Sequence, residues 1–313
     1  MNKYLKYITL LTVVGMSLTS CDFFKKGKTG EATEAADTLT ICTVSYKDSL
    51  TLTVDSLEGE AYVEQAMLAA FPAPEATGPL ADSIRAWLVQ QIGQSMYPQW
   101  EEMESAERLG ITYTVGEEQA FLDACASAGM KRMTESVQEA MQEGLVINYS
   151  NDYDATVSLN TDKLITYEVG YYVYSGGAHG GYLAHGQTFR CSDGRQMGWN
   201  MFDPAKRPQL IQFIKQQLCE YFSEDTEDHH TLSEEELMER LLLYDDPDTP
   251  ENELEHGVPL PASAPYVTEK GMAFVYQQYE IAAYAYGLPS AIIPFETLKD
   301  CLTSEARELL DLK

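Results

Sequence analysis

Residues 164–182 read LITYEVGYYVYSGGAHGGY. In their first eleven positions Ile165, Tyr167, Val169, Tyr171 and Val173 alternate with Thr166, Glu168, Gly170, Tyr172 and Tyr174. A period of two sustained this long predicts a strand with two unlike faces. The strand runs into Gly176-Gly177-Ala178-His179-Gly180-Gly181, where glycines permit positive φ and close approach of backbone. Such a loop has two uses. Its N–H groups can form a polar nest that presents His179 and Tyr182 as a binding surface, or it can simply bend between strands with His179 bonded to backbone.

Outward from this stretch, residues 185–191 read as the return strand, closed by a turn at Ser192-Asp193-Gly194. Upstream, residues 145–149 and 155–159 predict two short strands joined by a turn at Ser150-Asn151-Asp152. Leu39, Ile41 and Thr43, followed by Leu50, Leu52 and Val54, predict a hairpin around the polar residues 46–49. Residues 60–71 (EAYVEQAMLAAF) have helical spacing at Tyr62, Val63, Ala66, Met67 and Ala70, with Pro72 and Pro74 as a stop. A second helix is expected over 79–96, with Ile84, Trp87, Leu88 and Ile92 on one stripe. A third spans 116–143, broken near Gly129.

Downstream, Leu210, Ile211, Ile214 and Leu218 mark an amphipathic helix over 208–222. Ser233 and Glu236 form a capping box ahead of a further short helix. Residues 271–287 fit either a helix capped by Gly287 or a strand, since Phe274, Val275, Tyr276 and Tyr279 favour β structure. Ala291, Ile292 and Ile293 read as a strand entering a terminal helix over 295–310. The order of elements predicts an α+β fold, a mixed and largely antiparallel sheet with packed helices in two coupled parts, 38–182 and 183–313.

The chain has 313 residues, with 49 acids against 21 bases and a formal charge of −28. A charge this negative excludes nucleic acid as a partner, because phosphate binding needs clustered Lys and Arg. Twenty Tyr, ten Phe and three Trp are too many large rings for a chain that never folds. Fourteen of the acids fall within residues 224–255, with Arg240 the one base there. The D-x-D-x-D-G ladder of a calcium loop is missing from that stretch, so residues 224–256 read as a solvated acidic insertion.

The N-terminus has Lys3 and Lys6 and then an apolar run over 7–18, too short to span a bilayer. It ends in Leu18-Thr19-Ser20-Cys21, which resembles a bacterial lipobox. The resemblance implies a signal peptide over 1–20, cleavage before Cys21, lipidation of Cys21 and strong anchoring by two or more acyl chains. Residues 21–37 read as a flexible tether. The expected location is the cell envelope, lipid-anchored and periplasm-facing.

Little catalytic chemistry is visible. There is no G-x-S-x-G elbow, no P-loop and no H-E-x-x-H. No cofactor is expected. Cys42, Cys125, Cys191, Cys219 and Cys301 lack C-x-x-C spacing, which leaves buried thiols with one or two disulfides among them. His179 and His185 are close enough in sequence to share a site, but a metal needs a third ligand that the sequence does not identify.

The stretch YYVYSGGAHGGY resembles the Y-x-G-G-A-H motif of a family that includes the extracellular part of the anti-sigma factor RsiV and the non-catalytic part of the deacetylase PdaC. A second stretch, FVYQQYEIAAYAYG over 274–287, is similar to that family's F-x-F-x-x-Y-E-I-x-P-Y-x-x-G, with Ala283 in place of the usual proline. Ile293-Pro294-Phe295-Glu296-Thr297-Leu298 matches the I-P-[FY]-x-x-L that follows. The resemblance implies a mixed sheet with packed helices. It implies binding residues at Tyr174, Gly176, Gly177, His179 and Tyr182 in the first motif, and at Tyr279 and Tyr284 in the second. It carries over neither sigma-factor control nor deacetylation, since neither corresponding segment is found in these residues. It also implies a binding module for a cationic, lysozyme-like protein, without catalysis of its own. A peptidoglycan fragment is the other expected ligand. The competing expectation is an envelope hydrolase acting through His179 and His185.

Overall fold

The computed structural model describes residues 39–53, 59–95, 106, 109–223, 230–242 and 257–313. The leader 1–20, Cys21, the tether 21–37 and all of the acidic insertion except 230–242 lie outside the described residues.

Six strands form the large sheet in chain order. They are β1 (Ile41–Leu52), β2 (Ala61–Pro72), β3 (Tyr149–Asn160), β4 (Leu164–Tyr174), β5 (Gly181–Arg190) and β6 (Gln196–Met197). Every pairing is antiparallel except β2 with β3. A parallel pair needs a long return connection, and α1 (Pro79–Ser95) and α2 (Glu118–Gln142) lie within it. Both helices bury their apolar stripes against one face of the sheet, Ile84, Trp87, Leu88 and Ile92 from α1 and Phe121, Leu122 and Cys125 from α2. The opposing strand residues are the odd-numbered ones: Met67, Ala69, Phe71, Tyr153, Ala155, Ile165, Tyr167, Val169 and Phe189.

Four sequence expectations are corrected here. Residues 60–71 form strand β2 and not a helix, because Ala61, Val63, Gln65, Met67, Ala69 and Phe71 are all buried on one face at period two. The expected hairpin around 46–49 is a single edge strand, β1, paired with β2 along its whole length. The expected turn at 150–152 lies inside β3, where Asn151 is buried and Asp152 is exposed by the same alternation. Helix α2 continues through Gly129, which is buried.

The C-terminal half builds a second core. Helix α3 (Arg207–Ser223) packs Leu210, Ile214, Leu218 and Phe222 against a three-stranded sheet, β7 (Tyr266–Thr268), β8 (Gly271–Val275) and β9 (Ser290–Ile293). The capping box at Ser233 and Glu236 opens the short helix α4 (Glu234–Arg240). The undecided segment 271–287 resolves as β8 followed by turns. The expected terminal helix is interrupted. Helix α5 (Phe295–Leu298) and a 3-10 turn (Lys299–Cys301) are separated from α6 (Ser304–Leu309) by Leu302, which bridges to Phe202. Thr303 then caps α6 through its side chain.

The boundary drawn between 182 and 183 falls inside β5, so the large sheet takes strands from both expected parts. No disulfide joins the five described cysteines, against the one or two expected. Burial pushes the Cys125 thiol up to about 12 and the Cys191 thiol up to about 11, consistent with inert thiols.

Candidate functional site

The glycine-rich loop sits at the tip of the β4–β5 hairpin. Gly176 and Gly177 both have φ of +89°, a region that strains any side-chain-bearing residue. The Tyr174 hydroxyl donates to the Gly177 carbonyl at 3.1 Å and closes the loop on its own strand. Tyr174 therefore acts on the loop's shape. His179 is exposed, and its Nδ1 donates to the Gly180 carbonyl at 3.1 Å, leaving Nε2 free to accept.

The second motif arrives from the far end of the chain. Tyr276 is fully buried, with its hydroxyl donating to the Pro259 carbonyl at 2.7 Å. The next two residues take hold of the edge of β5. The Gln277 side-chain amide donates to the Ala184 carbonyl (2.8 Å) and accepts from the Ala184 N–H (3.2 Å). Gln278 accepts from the Tyr182 N–H at 2.8 Å. A glutamine amide thus completes the ladder where the edge strand has no neighbour. Glu280 fixes the turn by accepting from the Gln277 and Ala262 N–H groups at 2.6 and 2.7 Å.

Held in this way, Tyr279 has φ of +66° and is 52% exposed. A bulky residue in the left-handed region is costly and persists only where its surroundings over-determine it, which is common at binding sites. Its hydroxyl lies 3.5 Å from His179 Nε2. Tyr284, in a 3-10 turn that ends at Gly287, stacks on the His179 ring with centroids 3.7 Å apart and planes 20° apart. The Tyr279 and Tyr284 rings are 6.0 Å apart. Two motifs about a hundred residues apart in sequence therefore meet in one exposed aromatic cluster.

His185 has different surroundings. It lies on the helix-covered face, where its Nε2 donates to Gln91 at 3.0 Å and its ring meets the edge of Trp87. Burial lowers its pKa and favours the neutral ring. The expected pairing of His179 with His185 is therefore not formed, because His179 lies in the loop before β5 and stacks on Tyr284, whereas the alternation of β5 turns His185 under α1. Among the described residues no group of three or more His, Cys, Asp or Glu is placed to hold a metal ion.

The outer sheet face next to this cluster carries the expected Tyr182 together with residues to which sequence reasoning gave no binding role. Asp152 and Asp154 on β3, Glu168 and Tyr172 on β4, and Tyr182 on β5 share it through the strand register. Partial burial, followed by the charges of Asp152 and Glu168, pushes the Asp154 carboxyl up to about 6. Burial also raises Asp152, against the favourable charge of Lys47. Glu168 is raised by burial, less so because Tyr266 and Ser158 hydrogen-bond to it. The Tyr182 phenol is raised by burial and then by Asp154, Asp152 and Glu168. The available signal was the D-x-D at 152–154, which the turn assigned to 150–152 obscured.

Residues 200–296 match the model of a family described as a protein of unknown function, DUF3298. The matched residues contain the whole of the second motif over 274–287, and the Gly-Gly-Ala-His loop lies before them. Two solved structures are similar in fold. One is a member of the DUF3298 family from Bacteroides fragilis NCTC 9343, at a TM-score of 0.59 and 17% identity, covering 88% of this chain and 98% of that one. The other is a DUF3298 family protein from Pseudomonas aeruginosa PAO1, at a TM-score of 0.51 and 15% identity, covering 87% and 97%. No curated protein matches the chain significantly.

Proposed function

We propose that this protein is a lipid-anchored binding module of the cell envelope, with no catalysis of its own, that contacts its ligand through His179, Tyr279 and Tyr284. One observation carries the reading. Loops from distant parts of the chain are braced, at the cost of a strained Tyr279, so that Tyr279 and His179 are exposed beside the half-buried Tyr284 on which His179 stacks. Exposed aromatic anchors on a rigid scaffold are the usual hot spots of binding surfaces. The lipobox-like sequence at Cys21 supports attachment to the membrane. The charge of −28 favours a cationic protein, lysozyme-like in charge, over a neutral one. The aromatic cluster also suits a peptidoglycan fragment. No contact in the site favours the hydrolase alternative.

The test uses the full chain in detergent micelles, with a basic lysozyme and soluble peptidoglycan fragments as probes. Saturable binding of one of them is expected. Tyr279→Ala and His179→Ala should each weaken it about tenfold, or about 1.4 kcal/mol, without lowering the melting temperature. Absence of binding to both probes overturns the reading. Labelled palmitate should enter the wild type and be lost in Cys21→Ala.

A further inference from the structure

Among the described residues, the outer face of the large sheet is covered along only part of its length. At one end β7 lies across it. There the Val267 N–H donates to the Thr188 hydroxyl at 2.9 Å, which in turn lies 2.8 Å from the Thr166 hydroxyl, and both threonines are fully buried. Past Gly186 the cover ends, and Asp152, Asp154, Tyr172 and Tyr182 are exposed. In register, Asp152 faces Tyr172 and Tyr172 faces Tyr182, while in the next row Asp154 faces Gly170. A Cβ on Gly170 would lie 2.6 Å from Asp154 Oδ1 and 2.9 Å from the Tyr182 hydroxyl. The polar ends of both side chains therefore lean over the same bare backbone, one from each neighbouring strand.

We infer that this uncovered half-face docks a basic polypeptide segment, with one arginine seated against Asp154 and Asp152 beside the rings of Tyr172 and Tyr182. The inference rests on the binding-module reading and deepens it, by naming the partner's chemistry and extending the contact onto the sheet.

Charge complementarity selects the occupant. Three carboxylates crowd one face, and Lys47 offsets the charge of Asp152 among them. The free protein bears this repulsion, and a bound cation relieves it. A guanidinium matches both features, because it pairs with carboxylates through parallel N–H bonds and stacks on phenol rings. A neutral sugar would use the rings and hydrogen-bond to the acids but leave their mutual repulsion in place, and a phosphate chain would be repelled. The charged and titratable groups that act on Asp154 from this face are Asp152 from its own strand, Glu168 from β4 and Tyr182 from β5, while Lys47 from β1 acts on Asp152 and Tyr266 from β7 acts on Glu168. With its carboxyl pushed up to about 6, Asp154 is charged at neutral pH and takes up a proton on mild acidification. Affinity for a cation must then fall as pH drops through that value.

The experiment titrates the full chain in detergent micelles with a nona-arginine peptide near physiological salt, following anisotropy of a label on the peptide. Saturable binding is expected, weakened about tenfold in Asp154→Asn and in Tyr182→Ala and strengthened in Lys47→Gln. Moving from about pH 7.5 to about pH 5 should weaken the wild type more than Asp154→Asn. Affinity unchanged in both Asp154→Asn and Lys47→Gln overturns the inference and assigns the peptide to nonspecific attraction by the acids of residues 224–255. If Tyr279→Ala abolishes binding while Asp154→Asn retains it, the aromatic-junction reading stands and this inference falls. The reverse result supports this inference and overturns the junction as the contact.

Discussion

The two faces of β4 have opposite fates. On the helix side Ile165, Tyr167 and Val169 are buried, with Tyr167 meeting the edges of Trp87 and Phe189. On the other side burial is graded along the strand. Thr166 is sealed beneath β7, Glu168 is half-buried beside Tyr266, and Tyr172 opens to water. One face is a core whose content is set by packing. The other is an interface that the protein fills halfway and leaves open where its carboxylates and phenols collect. A polar strand face is therefore not simply the solvent face. On this side of the sheet Thr166, Thr188 and Gly186 lie where β7 leans in, and Asp152, Asp154, Tyr172 and Tyr182 lie beyond it.

The sheet's edges follow a single rule by comparison. The Gln119 amide donates to the Ser45 carbonyl at 2.9 Å and accepts from the Ser45 N–H at 3.3 Å, on β1. Gln277 does the same for Ala184 on β5. Each edge is closed at one point by a glutamine that stands in for a strand, which discourages pairing with a foreign chain.

The contrast between the faces can be broken most forcefully at Tyr167. Tyr167→Ala removes a fully buried ring and should cost about 3–5 kcal/mol in denaturant unfolding. Tyr172→Ala, on the same strand but facing out, should cost less than about 1 kcal/mol. Equal losses would mean that the outer face is packed as well. A smaller effect is expected at Gly186. A Cβ there would lie 2.4 Å from the Tyr266 ring, so Gly186→Ala must push β7 away, at about 1–3 kcal/mol. An unchanged melting temperature would show that β7 is only loosely seated.

The smallest effect has the opposite sign. The Asp154 carboxyl titrates at about 6 in the folded protein against an ordinary 3.8. Between these values the native state holds a proton that the unfolded state has released, so stability falls as pH rises through the window. Asp154→Asn should therefore stabilise the protein near pH 7.5, by about 1 kcal/mol once the group's access to water is discounted. The gain should vanish below about pH 4, as read from urea midpoints at the two pH values. A destabilised Asp154→Asn at neutral pH would show that the carboxylate supports the fold and is not held ready for a ligand.

Much of the fold was legible in the sequence. The alternation over 164–174, the stripe of α1, helix α3 and the capping box at Ser233 each reflect a local period or a local hydrogen bond, which neighbouring residues alone define. So did most of the candidate site, since both motif stretches reach the same surface. The failures share a cause. EAYVEQAMLAAF satisfies helical spacing and strand alternation equally well, and its alanines lean towards helix. Only pairing with β1 on one side and β3 on the other selects the strand. Ser150-Asn151-Asp152 has turn composition, yet β2 and β4 on either side hold it extended.

By itself, then, the sequence determined the α+β class, the two faces of the central strand and the glycines that shape the His179 loop. The tertiary structure decided that His185 belongs under α1 and away from His179, that Gln277 joins the two motifs through the edge of β5, and that half of the outer face stays uncovered. The physical reason is range. Periodicity and φ preferences act within a few residues, whereas an edge partner or a cover comes from about a hundred residues away and leaves no local trace.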